Sequence, residues 1–372
     1  MMSSLSFYLW RSLFLASIVT LEGSGAFQFR CELIRKNYTC TIANYNPVTE
    51  GSFLFNHVPN RTDKIVFKNL LLPIVRSTPF SYIPPHVGML SFSESSQVRV
   101  MIVPSNISIT QITVTLPSMN RIRFERNCTL AQLLIMQSNL VTLPPSLPNL
   151  QALSFLKLSQ SPLEAVNLAS FCNISQLATV NLRNNLIASL TFQAAPNPGC
   201  SPALTKLALS GNRLRVVNMT VFASMRALRT IDFENNWIET VEGQFNNTNV
   251  RTVILTNNNL LTIDLCRWST MPGVVSFTFA KNSLQQTPKC LGRLPRVKFL
   301  NFNHNKLTRI AIEAFAMLKE LEFLYFTSNA IRTVTTNGRQ VPPRLREVYF
   351  DHNPLQFVNL TSLSLGSLRV HT

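Results

Sequence analysis

The chain has 372 residues, 46% of them hydrophobic and 14% charged, with a formal net charge of +17. A chain of this length and apolar content buries a large core, which excludes an intrinsically disordered protein. The basic balance points to acidic partners, and seven cysteines point to an oxidising compartment.

At the N-terminus Arg11 precedes an apolar run from Leu13 to Leu21, and Ser24-Gly25-Ala26 places small residues at the cleavage positions. This predicts a secretory signal peptide over 1–26 and a mature chain beginning at Phe27. The run is too short to span a bilayer and no later segment is longer, so no membrane span is expected and the product is expected to be secreted and extracellular. Asn-x-Ser/Thr sequences at Asn37, Asn60, Asn106, Asn127, Asn173, Asn218, Asn246 and Asn359 are candidate glycosylation sites. Residues 27–61 read as an N-terminal cap closed by Cys31 and Cys40.

From Leu130 onward one line recurs: apolar, two variable, apolar, one variable, apolar, two variable, usually Asn, one variable, apolar. One copy is Leu177-x-x-Val180-x-Leu182-x-x-Asn185-x-Ile187. Copies open at Leu130, Leu153, Leu177, Leu204, Leu228, Val250, Val274, Val297, Leu321 and Leu345, about 24 residues apart, which is the leucine-rich repeat. Numbering slots from the opening residue, the apolar residues at slots four and six suit a short strand with its side chains alternating between faces. One coil cannot bury its own apolar slots, so coils stack and share a core. Slot nine is Asn185, Asn212, Asn236, Asn258, Asn282, Asn305, Asn329 and Asn353, with Ser138 and Ser161 in the first two repeats. An Asn carboxamide both donates and accepts, so this column can satisfy backbone groups that the turn leaves without strand partners. Phe171, Phe222 and Phe315 at slot nineteen are expected to fill the convex side of the core.

Upstream, over 62–129, Ile65 and Phe67, Leu90 and Phe92, and Ile112 and Val114 can serve as slots four and six of degenerate repeats, with Leu70, Ser95 and Pro117 interrupting the Asn column. The regular repeats run over 130–367, and Leu368 would open an incomplete one over 368–372. No polar cap follows, so Leu360, Leu363 and Leu365 are expected to be exposed. The fold class is an α/β solenoid, a leucine-rich-repeat horseshoe with a parallel concave β-sheet and an irregular or short-helical convex side.

Cys266 and Cys290 share slot seventeen of successive repeats, which sets them within disulfide reach. Cys172 and Cys200 form a looser pair, at slots twenty and twenty-four of successive repeats. Cys128 is left over, either as a buried thiol or as a link to another chain.

No catalytic constellation is present. No phosphate-cradling Gly loop follows a strand. His57, His86, His304, His352 and His371 form no metal-ligand pair at helical or finger spacing. No enzyme, metal or cofactor is expected, and the absence of a recognition motif argues against nucleic acid.

Function is sought on the concave face, where slots three, five, seven and eight point. In the last complete repeats these give Phe299, Asn301, Asn303 and His304, then Phe323, Tyr325, Thr327 and Ser328, then Glu347, Tyr349, Asp351 and His352. Aromatics clustered with His, Asp and Glu resemble the anchors of a protein interface, although aromatic residues also suit strands intrinsically. The binding candidates are Phe299, His304, Phe323, Tyr325, Tyr349, Asp351 and His352. The last six sequons fall on the descending or convex side, outside the strands. Basic residues line the coil edges: Arg229, Arg251, Lys298 and Arg346 at slot two, and Arg213, Arg215, Lys306, Arg309 and Arg332 near slot eleven. Two readings stand for them, a solvated edge and a surface for an anionic microbial or glycan partner.

The signal peptide, the Cys31 and Cys40 cap and the Asn-column repeats, with lines such as Phe299-Leu300-Asn301-Phe302-Asn303-His304-Asn305-Lys306-Leu307, resemble the secreted leucine-rich-repeat immune proteins of mosquitoes. The resemblance covers the chain from about Phe27 onward. It implies an innate-immune binding protein whose partner is a complement-like protein or another leucine-rich-repeat protein. Long members carry a C-terminal cysteine cluster and coiled coils; this sequence has neither, so it fits a short form without coiled coil or a truncated one. The alternative is the ectodomain of an adhesion or Toll-like receptor whose anchor lies elsewhere.

Overall fold

The computed structural model describes residues 19–22, 27–193, 199–336, 341–359 and 368–372. Most of the expected leader, including Ser24-Gly25-Ala26, lies outside them, as do Leu360, Leu363 and Leu365. Contacts divide the chain into a first unit, residues 1–163 with 173–177, and a second, residues 164–172 with 178–372. No helix among the described residues is long and apolar enough to cross a membrane.

The first unit opens on an antiparallel pair, Gln28–Ile34 with Asn37–Ala43, in which Cys31 sits opposite Cys40. These two are disulfide-bonded, with Cα atoms 4.0 Å apart. Val19–Glu22 pairs antiparallel on the outer side of Gln28–Ile34. From Asn37–Ala43 the sheet continues in parallel through Thr62–Lys68, Met89–Ser93, Gln111–Thr115, Gln132–Met136 and Phe155–Ser159. The register aligns Cys40, Ile65, Leu90, Ile112, Leu133 and Leu156 in one column and Ile42, Phe67, Phe92, Val114, Ile135 and Leu158 in another. Both columns are buried, as strand alternation requires when one face meets the core. The pairs read as slots four and six of degenerate repeats thus occupy those positions. Phe67 and Phe92 stack within this core, ring centroids 5.1 Å apart.

Serine takes over the Asn role here. Ser95 Oγ accepts from the Leu70 amide at 2.9 Å and donates to the Ser93 carbonyl at 2.8 Å. Ser138 and Ser161 are joined Oγ to Oγ at 2.8 Å. A second parallel ladder, Ile74–Val75, Val100–Val103 and Arg121–Phe124, runs behind the first sheet. Cys128 is buried, so its thiol faces the core and is not presented to another chain.

In the second unit the strands shorten to three residues: Thr179–Asn181, Lys206–Ala208, Thr230–Asp232, Thr252–Ile254, Ser276–Thr278, Phe299–Asn301, Phe323–Tyr325, Glu347–Tyr349 and Arg369–His371. All pair in parallel, and the slot-four column from Val180 to Val348 is buried. The Asn column behaves as its chemistry demands. Asn212 Nδ2 donates to Leu209 O at 2.7 Å in its own coil and to Leu182 O at 3.0 Å in the preceding one, while its Oδ1 accepts from the Ile187 amide at 3.1 Å. The same pattern recurs through Asn353.

Slot eight, just before each Asn, adopts the left-handed conformation: φ is 56° at Asn184, 71° at Gly211, 55° at Asn235, 55° at His304 and 58° at His352. The chain turns out of the strand here, which is why Asn and Gly recur at this slot.

Helices among the described residues are short. The convex side of the second unit uses 3-10 turns, Leu168–Phe171, Met219–Phe222, Leu291–Arg293 and Ile312–Phe315. Phe171, Phe222 and Phe315 close three of these and are fully buried. Short parallel ladders precede the turns: Ala165–Asn167 with Ser189–Thr191, Val216–Asn218 with Thr240–Glu242, and Arg309–Ala311 with Thr333–Thr335 and Phe357–Val358. One expectation is corrected here: Asn218, a sequon residue placed outside strands, ends the strand Val216–Asn218. Its Oδ1 caps the next turn by accepting from the Thr220 amide at 3.0 Å, so one carboxamide terminates a strand and starts a helix. Cys172–Cys200 and Cys266–Cys290 are disulfide-bonded with Cα separations of 5.5 and 5.1 Å.

A second correction concerns register. Val348, at slot four, pairs with Val370, and Tyr349 with His371. The last strand therefore begins its repeat one residue before Leu368. A slip of one residue exchanges the two faces of a strand, and His371 moves from an inward slot to the outward slot five.

Candidate functional site

The outward slots of the last coils of the second unit bring rings together. Phe299 sits opposite Phe323, and Asn301, Tyr325, Tyr349 and His371 align across successive strands. Phe299 and Phe323 stack at 5.1 Å, Phe323 and Tyr325 lie 6.4 Å apart, Tyr325 and Tyr349 stack at 4.9 Å, and Tyr349 and His371 at 4.2 Å. The result is a continuous ladder of five rings in which Phe299 is 38% exposed and the other four are half-buried. Strand spacing explains it: parallel strands sit roughly 4.8 Å apart, close to the separation at which aromatic faces stack.

Polar groups fix the ladder's lower end. The Tyr349 hydroxyl donates to Glu347 Oε2, and the same carboxylate lies 3.6 Å from His371 Nε2 and 3.9 Å from Arg369 Nη1. The hydrogen bond to Glu347 holds Tyr349 protonated, its pKa pushed up to about 12, with burial and the carboxylate's charge adding to the effect. Burial, then Glu347, also raises Tyr325. Both phenols are therefore held in the neutral form. Between the rings and the turn, Asn303 Oδ1 accepts from the Thr327 amide at 2.8 Å and Asn301 Oδ1 from the Asn303 amide at 2.9 Å.

Of the residues singled out in the sequence, Phe299, Phe323, Tyr325 and Tyr349 share the ladder. Asp351 is half-buried past the strand end, and its carbonyl accepts from the Ser328 amide at 2.9 Å. His304 and His352 are exposed on the left-handed turn, outside the ring stack. His371 was missed because the last repeat was set out of register; pairing Val370 with Val348 on apolar character would have found it. Asp232 was missed too. It is 1% exposed at slot five and paired with Arg183 from two coils before. An acid at an outward slot where neighbouring coils have Asn181, Ala208 and Ile254 is the signal for it.

Asp264, Cys266 and Cys290 cluster closely enough to suggest metal ligands, but the two sulfurs are bonded to each other, which removes both as donors. A shallow cleft beside the ladder is lined by Lys298, Glu322, Arg344, Arg346, Glu347 and Arg369. There Lys298 Nζ donates to Glu322 at 2.8 Å and Arg346 lies 3.4 Å from the same carboxylate. The hydrogen bond from Lys298 holds Glu322 below the usual carboxylate range.

Residues 202–247 match the family described as leucine rich repeat. Podocan of Mus musculus is 27% identical over 217 residues, covering 57% of this chain and 33% of Podocan, so the chain spans about a third of that relative's length. The LRIM1/APL1C complex structure matches with a TM-score of 0.58 at 18% identity, over 92% of this chain and 61% of that one. The Drosophila Toll–Spatzle complex matches with a TM-score of 0.53 at 14% identity, over 95% of this chain and 55% of that one. Coil geometry, family match and structural likeness agree, and the chain has the leucine-rich-repeat fold.

Proposed function

We propose that this protein is a secreted, non-enzymatic recognition protein of innate immunity, and that its second unit binds a protein partner through the aromatic ladder from Phe299 to His371. The observation that carries the reading is the ladder itself. Stacked, partly exposed rings held by neighbouring strands offer large contact area with little side-chain entropy to lose on binding. Three disulfides, the sequons and the apolar leader support an extracellular setting. The resemblance to mosquito immune repeat proteins, and the likeness to chains seen in the LRIM1/APL1C and Toll–Spatzle complexes, support a protein partner. The test is site-specific photo-crosslinking in extracellular fluid, with the reactive side chain at Phe299 or, as a control, at Arg309 on the descending side. Adducts formed from position 299 and not from 309 support the reading; adducts from 309 alone contradict it.

A further inference from the structure

Slot two of the second unit forms a backbone ladder along the edge where the strands begin. The amide of Arg229 donates to Thr205 O at 2.8 Å, Arg251 to Arg229 O at 2.8 Å, Val275 to Arg251 O at 2.9 Å and Lys298 to Val275 O at 2.8 Å. Glu322 donates to Lys298 O at 3.0 Å and Arg346 to Glu322 O at 2.9 Å; the next strand adds the slot-three amide of Arg369, which donates to Arg346 O at 2.7 Å. Each coil thus contributes one slot-two side chain to a straight row, at a pitch of roughly 4.8 Å. Arg226, Arg296 and Arg344 stand three residues earlier in sequence than Arg229, Phe299 and Glu347, in the loops that lead into the same strands.

Acids on this edge sit in the last coils, where bases already engage them: Arg344 pairs with Glu320, Lys298 and Arg346 with Glu322, and Arg369 with Glu347. Among the described residues, Arg226, Arg229, Arg251 and Arg296 have no carboxylate partner. Arg226, Arg251 and Arg296 are exposed, while Arg229 is half-buried with Nη1 donating to Asn249 O at 3.3 Å. The coils opening at Val250, Val274 and Val297 contain no Asn-x-Ser/Thr site, so no N-linked sugar arises from the coils that hold Arg251 and Arg296.

We propose that this arginine row binds a linear sulfated polysaccharide. The guanidinium fork matches sulfate and carboxylate oxygens, and Arg229 and Arg251 on adjacent coils, extended by Arg226 and Arg296 in the loops of the same edge, suit a polymer lying along it. The slot-two and slot-three positions of the unpaired stretch hold Arg229, Thr230, Arg251, Thr252, Val275 and Ser276. A single-stranded nucleic acid calls for aromatic platforms and a protein partner for buried aromatic anchors; this stretch has neither. The site is distinct from the ring ladder but shares the extracellular setting argued above.

The experiment uses the full-length secreted glycoprotein and heparin as the probe, titrated at two salt concentrations. Arg226→Glu/Arg251→Glu/Arg296→Glu is compared with a charge-matched control at the other end of the strands, Arg213→Glu/Arg309→Glu/Arg332→Glu, and with Tyr325→Ala/Tyr349→Ala. Thermal melts check folding, and the corresponding alanine triple serves if the first variant unfolds. The row predicts a loss of about tenfold or more in heparin affinity and a weaker salt dependence for the first variant only. Tyr325→Ala/Tyr349→Ala should bind heparin as wild type does, which separates this proposal from the ladder reading. Equal losses in both charge-reversal variants would show attraction by net charge alone and overturn the site. Binding of a single-stranded RNA oligomer as tightly as heparin, or undiminished binding of desulfated heparin, would overturn the assignment to sulfated glycan.

Discussion

The amide of Ile238 donates to the Oδ1 of Asn258 at 2.9 Å, one coil further along the chain. That contact makes each Asn a clamp between coils, because the same side chain's Nδ2 donates to Phe233 O and Leu255 O, each at 3.1 Å. Asn258 is buried, so these backbone groups lie away from bulk solvent. Asn258→Ala should cost on the order of 1–3 kcal/mol by leaving buried backbone groups unpaired. Asn258→Ser should recover part of this, since a slot-nine serine can still accept a backbone amide across coils, as Ser95 does from the slot-nine amide of Leu70. Thermal and urea melts of the two variants check both. An unchanged melting temperature for the alanine variant would mean the clamp does not contribute.

Tyr349 yields a prediction about pH. With its pKa pushed up to about 12 by Glu347, it should stay protonated after ordinary tyrosines, near 10, have ionised. The folded-state value exceeds the unfolded one. Its contribution to stability is therefore complete below about pH 10 and lost as pH rises towards about 12. Ultraviolet titration of wild type and Glu347→Gln tests it: the substitution should bring Tyr349 back towards the ordinary range and lower Tyr325, which burial chiefly raises, to a smaller extent. A titration curve unaltered by the substitution would remove Glu347 as the cause.

Cys128 and the paired cysteines should separate under native alkylation. Burial both hides the Cys128 thiol and pushes its pKa up, so the thiolate is scarce and inaccessible. Labelling should be slow in the folded protein and immediate in denaturant, with non-reducing peptide maps showing Cys266 joined to Cys290. Replacing that pair with serine should cost about 3 kcal/mol, given the length of chain it closes. Rapid native labelling of Cys128 would place it on the surface.

Much of the architecture was legible because a leucine-rich repeat writes its core in periodic form. The apolar slots, the Asn column and the slot-nineteen phenylalanines each follow from burial that recurs every coil, and even Ile65 and Phe67 keep the alternation where the full line fades. Features without apolar periodicity were not legible in the same way. The convex ladders, such as Val216–Asn218 with Thr240–Glu242, are held by backbone bonds between residues of mixed polarity. The Arg183–Asp232 pair spans coils that are far apart in sequence. His371 shows how narrow the margin is: taking Leu368 as the opening residue shifts the strand by one and turns an outward ring inward. His304 and His352 share slot eight, and the left-handed φ at both places that slot on the turn, a feature that residue type alone does not disclose.

The claim that the second unit recognises its partner through the ring ladder is tested most directly by the affinity of that partner for Tyr325→Ala/Tyr349→Ala and for Arg309→Glu/Arg332→Glu, measured side by side at two ionic strengths. The ladder account predicts a loss of more than about 2 kcal/mol for the aromatic variant, with little change for the charge-reversal variant and a weak dependence on salt. Wild-type affinity in the aromatic variant, together with lost binding in the charge-reversal variant, would contradict it.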